Sequence, residues 1–356
     1  MIRITFVSLA LAAALAAGSA MAAPRDHILA FEHTRAGIFL ERLDARTLRP
    51  LADKPRFVFV ARRFPIDWDL SPDRRQLIVA SNKARIVDLA TFRVRTRCCL
   101  PFPVSSPDYV ALLWTREGVE VIDQGGDTWN LGGSGNTLNA PYGLADFAKG
   151  PTGLVELYAY QFPGGSLSWA LTENTHASAP FDVPELNGES SVAMAVDGSS
   201  IDLLTPGGAL VTATNAGDST RTIALPPAIP ASGFHISAWS PGRLVVPTAN
   251  ELVLVQVETG TTMPLQLGAT KFVTGTQDLV AWSSNSPRDG LFVYNRAGRR
   301  RLHLLVGMPI GCVTLHDRLA YVSHEHGKGC SALRTIVDLR TGRVIDHMSA
   351  PADLIG

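Results

Sequence analysis

The sequence predicts an all-β protein, a β-propeller of four-stranded blades. Three observations predict it: no long amphipathic helical stretch follows the N-terminal apolar run, short β-rich runs recur at regular spacing, and one strand–turn pattern repeats along the chain. Counting hairpins gives eight blades, with seven as the alternative if one unit is degenerate.

The N-terminus comes first. Arg3 precedes an apolar run from Ile4 to Ala17, and Ala20, Met21 and Ala22 supply a small-x-small cleavage pattern. The run is shorter than the roughly 20 residues needed to cross a bilayer. Residues 1–22 are therefore expected to be a signal peptide and residues 23–356 a single propeller domain, periplasmic or secreted. With 32 basic and 32 acidic residues the formal net charge is zero. That balance argues against nucleic acid or a membrane surface as partner, since both favour concentrated basic patches. Lys54, Lys83, Lys149, Lys271 and Lys328 are the only lysines. The arginines read as scattered.

Residues 74–95, 242–267 and 318–345 show the repeating unit best. Each has an apolar strand, a polar turn, a second strand ending in Asp or Glu, a tight turn and a third strand. An earlier strand precedes the unit and ends in a turn such as Ser71-Pro72-Asp73 or Ser240-Pro241-Gly242. Turn anchors at Asp26, Asp73, Asp108, Pro151, Asp197, Gly242, Asp278 and Asp317 lie about 42 residues apart on average, in the range of four-stranded blades. Acidic residues recur at the end of the unit's third strand: Asp44, Asp88, Asp123, Glu258 and Asp338. A carboxylate there can accept backbone amides two residues on and fix the turn. A β-sandwich would explain the short strands but not similar units of near-constant length. The first unit, residues 27–51, lacks an innermost strand. The C-terminal segment 349–356 is expected to supply it and close the ring, leaving no open edge.

The turn Ser71-Pro72-Asp73 and the strand ending Val337-Asp338-Leu339-Arg340-Thr341-Gly342 resemble the repeats of the YVTN and quinoprotein amine dehydrogenase β-chain-like superfamily of exported propellers. The resemblance implies a propeller over nearly the whole mature chain. These are blade-building motifs, and no catalytic motif of that superfamily is matched. An eighth unit also departs from its seven-bladed pattern.

Loops joining the second and third strands of each blade, and those joining blades, emerge on one end. That reading places 32–37, 81–83, 115–118, 161–165, 283–290 and 323–329 together, with the inter-blade loops 98–105 and 131–143. The chemically densest loop is Ser323-His324-Glu325-His326-Gly327-Lys328. Ring closure would bring Glu32 and His33 beside it, so Glu32, His33, His324, Glu325 and His326 are candidate ligands for a divalent metal such as zinc or copper. A solvated loop tip is the competing reading. Four cysteines in an exported chain imply oxidation with three pairings. Cys312–Cys330 is favoured because both fall at one end of one blade. Cys98 and Cys99 then remain as a vicinal pair, an arrangement that resembles the cofactor site of some eight-bladed quinone-dependent alcohol dehydrogenases.

Other features carry less chemistry. Residues 132–137 are Gly-rich but lack a P-loop lysine and read as an inter-blade loop. Trp68, Trp114, Trp129, Trp169, Trp239 and Trp282 read as strand residues packed between blades. Arg299, Arg300 and Arg301 read as a solvated turn. The expected role is a binding or scaffold module that presents one loop-rich face to a protein, peptide or small ligand. The alternative is a periplasmic enzyme or enzyme subunit, either quinoprotein dehydrogenase-like or a metal-dependent hydrolase or lactonase.

Overall fold

The computed structural model describes residues 27–355 except 35–36, 52–54, 60–66, 82, 98–99, 101–102, 108, 115–117, 124–127, 132–134, 137–141, 150–153, 162–166, 174–175, 178–192, 198–199, 206–207, 215–218, 226–235, 249–250, 268–270, 276, 284–285, 325–331 and 351–352. The expected signal peptide lies outside them. Among the described residues no helix is long and apolar enough to cross a membrane.

The described residues form eight four-stranded antiparallel sheets. Taken from one edge to the other, sheet 1 is Asp353–Ile355, His27–Thr34, Gly37–Asp44 and Arg56–Phe59; sheet 2 is Asp67–Leu70, Gln76–Ala80, Ala84–Asp88 and Val94–Arg97. Sheet 3 is Tyr109–Trp114, Val119–Asp123, Thr128–Asn130 and Gly135–Asn136; sheet 4 is Tyr142–Lys149, Leu154–Gln161, Leu167–Glu173 and His176–Ala177. Sheet 5 is Ala193–Asp197, Ser200–Leu204, Ala209–Thr214 and Ser219–Ala224; sheet 6 is Ser237–Ser240, Arg243–Pro247, Glu251–Gln256 and Thr261–Leu267. Sheet 7 is Lys271–Thr274, Asp278–Trp282, Leu291–Asn295 and Arg300–Leu304; sheet 8 is Cys312–His316, Leu319–Ser323, Ala332–Asp338 and Arg343–Ala350. The first strands of sheets 2 and 3, 4 and 5, 5 and 6, and 7 and 8 pack against each other, so this edge is the inner one. In sheet 1 the inner strand comes from the far end of the chain: Leu29 pairs with Ile355, Ala30 with Leu354 and Phe31 with Asp353.

No single sheet buries both its faces alone; the apolar residues meet between sheets. Phe31, Ile38 and Leu40 of sheet 1 pack with Leu77, Val79 and Val87 of sheet 2. Similar clusters join sheets 2 and 3, 4 and 5, 5 and 6, 6 and 7, and 7 and 8. Ile28, Ala30 and Leu43 of sheet 1 share another with Tyr321 and Ile336 of sheet 8. Second strands are the most buried because both faces are covered, as in Leu77, Ile78, Val79 and Ala80, all at 0% exposure. All six tryptophans lie in strands, as expected.

The turn after the third strand is built by its carboxylate. Asp44 Oδ1 accepts the amides of Arg46 and Thr47 and the Thr47 hydroxyl. Asp88 Oδ1 does the same with Ala90 and Thr91, and Asp338 Oδ1 takes the amides of Arg340 and Thr341. Burial pulls the Asp44 carboxyl upward, but these hydrogen bonds outweigh it and hold the group below the usual aspartate range; the Thr91 hydroxyl foremost does the same for Asp88. The same turns need a left-handed residue, with φ near +70° at Gly260, Gly298 and Gly342. A Cβ at Gly260 or Gly298 would collide with Ile223 or Met263 of the preceding sheet. Sheets 1 and 2 put Leu48 (φ 50°) and Phe92 (φ 53°) there instead. Each costs about 1 kcal/mol in backbone strain. Each is nearly fully buried between sheets, which returns about 2 kcal/mol.

The turns of sheets 1, 2, 7 and 8 are also held by the sheet before them. The carbonyl one residue past the Asp or Asn accepts a side chain from that sheet. Arg42 of sheet 1 donates to Leu89 O and Ala90 O at 2.6 Å and lies 4.3 Å over the Phe92 ring. Arg243 of sheet 6 donates to Arg296 O, and Arg301 of sheet 7 to Leu339 O at 2.6 Å. Tyr321 of sheet 8 donates to Ala45 O of sheet 1 at 2.7 Å, in a buried bond. Burial foremost pushes the Tyr321 phenol far up, so it stays a donor.

Four expectations are corrected. In sheet 3, Tyr109–Trp114 is the innermost strand, so Asp123 ends a second strand and Asp108 precedes the sheet. The Gly-rich segment is not all loop: Gly135 and Asn136 form the outer strand of sheet 3 against Thr128 and Trp129. Arg300 and Arg301 open the outer strand of sheet 7 rather than sitting in a turn. Glu258 lies beyond the strand ending at Gln256, where a backbone bond from Gly260 N closes the turn.

Replacing Tyr321 by Phe leaves the buried Ala45 carbonyl without this donor. Urea unfolding should show a loss of about 1–2 kcal/mol. Arg46→Ala, in the same turn but exposed, should change stability by less than about 0.5 kcal/mol.

Candidate functional site

The expected loop-bearing end follows the second strands. Its described part is braced by hydroxyls and two imidazoles. Ser283 Oγ accepts the Ser286 amide ahead of a short 3-10 turn, Pro287–Asp289. Thr248 Oγ1 accepts from Glu251 N, and Thr205 Oγ1 from Ala209 N. His303 Nε2 meets Asp289 O at 2.7 Å, and its ring stacks on Phe292 with centroids 4.5 Å apart.

His324 stands at the root of the His-rich loop and is half-buried. Its Nδ1 lies 2.7 Å from Pro309 O, which can only accept, so Nδ1 carries the proton. In the neutral ring Nε2 then accepts from the Thr335 hydroxyl at 2.5 Å. Thr335 Oγ1, fully buried, in turn takes a hydrogen bond from His347 Nδ1 at 2.9 Å. The result is a directed chain from the exposed His347 through Thr335 and His324 to the backbone before Cys312–His316. Sequence reading singled out His324 but missed its partners. Thr335 looks like an ordinary strand residue, and His347 lies 23 positions away on the outer strand.

The candidate ligands are thus not gathered by the described residues. Both ring nitrogens of His324 are engaged within the protein. Glu32 is half-buried in the strand His27–Thr34, opposite Phe39, and His33 pairs with Ile38 along the same ladder. The His33 side chain, Glu325 and His326 lie outside the described residues. Among the described residues no group of three or more His, Cys, Asp or Glu could hold a metal ion. Cys312 is disulfide-bonded, and Cys98, Cys99 and Cys330 lie outside the described residues. Residues 115–117 lie outside the described residues; the flanking pair Trp114 and Val119 joins the first and second strands of sheet 3, at the opposite end from the one expected.

A second polar constellation sits at the inner edge, and sequence reading overlooked it. Asp67 and Asp69 point from the innermost strand of sheet 2 to that of sheet 3. Asp67 Oδ2 accepts the Tyr109 hydroxyl at 2.6 Å and Leu112 N at 3.0 Å; Asp69 Oδ2 accepts Trp114 N at 2.6 Å. Burial foremost, then Asp67, raises the Tyr109 phenol far above its usual range. The carboxylates serve as side-chain partners for amides at a sheet edge. The Asp67-Trp68-Asp69 alternation was the available signal, since period 2 puts both carboxylates on one side.

No protein-family model and no curated protein sequence matches the chain. Its structure is similar to the C-terminal WD40 domain of Sif2, at 12% identity and TM-score 0.50 over 83% of this chain and 89% of that one. It is similar to a eukaryotic initiation factor, at 9% identity and TM-score 0.57 over 93% of this chain and 98% of that one. A Bacteroides ovatus protein described as a dipeptidyl aminopeptidase IV matches at 10% identity and TM-score 0.59, over 92% of this chain and 59% of that longer one. WD40 domains are radial arrays of four-stranded sheets. The chain is a β-propeller, and the expected superfamily likeness holds at the level of fold. At these identities the likeness does not carry an activity.

Substituting Thr335 by Val keeps the shape but removes the hydroxyl between the two imidazoles. The expected loss is about 1–3 kcal/mol in urea unfolding. Nitrogen chemical shifts should show the His324 and His347 rings changing together. A shift confined to one ring would contradict a shared chain.

Proposed function

We propose that the chain is an exported propeller of eight blades, closed by the C-terminal strand Asp353–Ile355, that acts as a binding or scaffold module. The loop-rich end after the second strands presents the binding face to a protein, peptide or small ligand. One observation carries this reading: the described polar groups at that end brace the loops. Ser283, Thr248 and His324 are each hydrogen-bonded within their own sheet or to the adjoining backbone. Loops held on a rigid scaffold are the usual carriers of recognition. Pairing of Leu29, Ala30 and Phe31 with the C-terminal strand supports ring closure, and the apolar run at residues 4–17 supports export. The disulfide of Cys312 is assigned to Cys330, which would staple the His-rich loop to its blade.

The test is metal analysis and an absorption spectrum of protein purified from the periplasm, followed by cross-linking in the native host. A binding module should carry neither stoichiometric metal nor quinone. It should cross-link to a partner in a manner reduced by Arg288→Glu/Asp289→Lys at the loop end. Stoichiometric cofactor would overturn this reading and favour the enzyme subunit.

A further inference from the structure

The zero net charge conceals a segregated molecule. Residues 106–287, which hold sheets 3–6 and the two inner strands of sheet 7, carry 5 Lys and Arg against 17 Asp and Glu. Residues 27–105 and 288–356 together carry 25 against 14. These two stretches meet in space through the pairing of sheet 1 with Asp353–Ile355 and the cluster shared by sheets 1 and 8. The arginines are therefore not scattered, as the linear sequence suggested, but gathered over sheets 7, 8, 1 and 2.

A repeated motif fixes where they point. The turn after the third strand reads Asp-x-x-Thr-x-Arg at residues 44–49, 88–93 and 338–343, and Asn-x-x-x-Arg at 295–299. The last residue is the cross-turn partner of the first. Asp44 N donates to Arg49 O, Asp88 N to Arg93 O and Asn295 N to Arg299 O, while Asp338 pairs with Arg343 along the ladder. Arg49, Arg93, Arg299 and Arg343 are exposed, as are Arg46 and Arg340 in two of the same turns. Backbone geometry does not require the arginine. Sheet 6 closes the equivalent turn, with Gly260 N donating to Gln256 O at 2.8 Å, and places Thr261 there. Asp44, Asp88 and Asp338 are turned onto their own turn amides. Asp73 and Asp317 are the exposed acids of the neighbouring first turns at this end.

We propose that this arc of turn-tip arginines, on the end opposite the loop-rich face, is a second docking surface for an acidic protein segment. Guanidinium groups match carboxylates in bidentate geometry and keep their charge at all working pH values. The arc spans only the basic part of the ring. A planar anionic bilayer laid across the same end would also cover the acidic sheets 3–6, whereas a narrow acidic segment engages the arc alone.

The experiment measures binding of the purified full-length mature protein to short poly-L-glutamate at low ionic strength, with wild type, Arg93→Glu/Arg343→Glu and Arg221→Glu/Lys271→Glu compared. The last pair makes the same charge change at exposed positions off the arc. The wild type should bind, release with rising salt, and lose at least about tenfold in affinity in the arc variant but not in the control. Retained thermal transitions would show that the variants fold. Four outcomes would overturn the proposal: no binding, equal loss in both variants, preferential binding of phosphatidylglycerol vesicles or a single-stranded oligonucleotide, or salt-sensitive self-association in place of peptide binding.

Discussion

The structure depends on one recurring contact, the capture of a hairpin-turn carbonyl by a side chain of the preceding sheet. Ala45, Leu89, Arg296 and Leu339 occupy the same position in their turns, one residue past an Asp or Asn. Their carbonyls are taken by Tyr321, Arg42, Arg243 and Arg301. A four-stranded sheet cannot bury its own faces, so neighbouring sheets must hold a fixed angle for the apolar clusters to fill. Apolar packing is not directional. The straps supply the direction, and the carboxylate-built turn supplies an acceptor that is already fixed. The contact from sheet 8 to sheet 1 obeys the same rule as those between sequential sheets, which is why the first and last strands meet in register.

This arrangement explains what could be read in the sequence. Short continuous apolar runs such as Leu77–Ala80, and carboxylates such as Asp88 at strand ends, are local signals and gave the repeating unit. The missing inner strand of the first unit pointed to the C-terminal segment. Sheet 3 misled because Asp123 mimics the usual third-strand carboxylate while ending a second strand. Gly135 and Asn136 have poor strand propensity yet pair at an outer edge.

The polar sites were less legible because their partners are distant in sequence. His324 was visible as part of a dense His-Glu-His loop, which suggested a metal. Its bonds to Pro309 and Thr335 depend on how three strands of sheet 8 align. Asp67 and Asp69 likewise gain meaning only when sheets 2 and 3 are placed side by side. The arginine arc was hidden for a related reason: charges at the two ends of the chain become neighbours only where sheet 1 meets sheet 8 and the C-terminal strand.

The central claim is that neighbouring sheets hold one another through shared clusters and straps, so no sheet is stable alone. The direct measurement is equilibrium urea unfolding of the full chain and of a chain ending at Ala350, followed by tryptophan fluorescence and by hydrogen exchange at Leu77, Leu203 and Val293. Removing Asp353–Ile355 exposes the inner edge of sheet 1 and the buried Leu354. The account predicts one cooperative transition that moves as a whole, by at least about 2 kcal/mol, with protection falling in all three sheets. An unchanged midpoint, or lost protection confined to sheet 1, would contradict it.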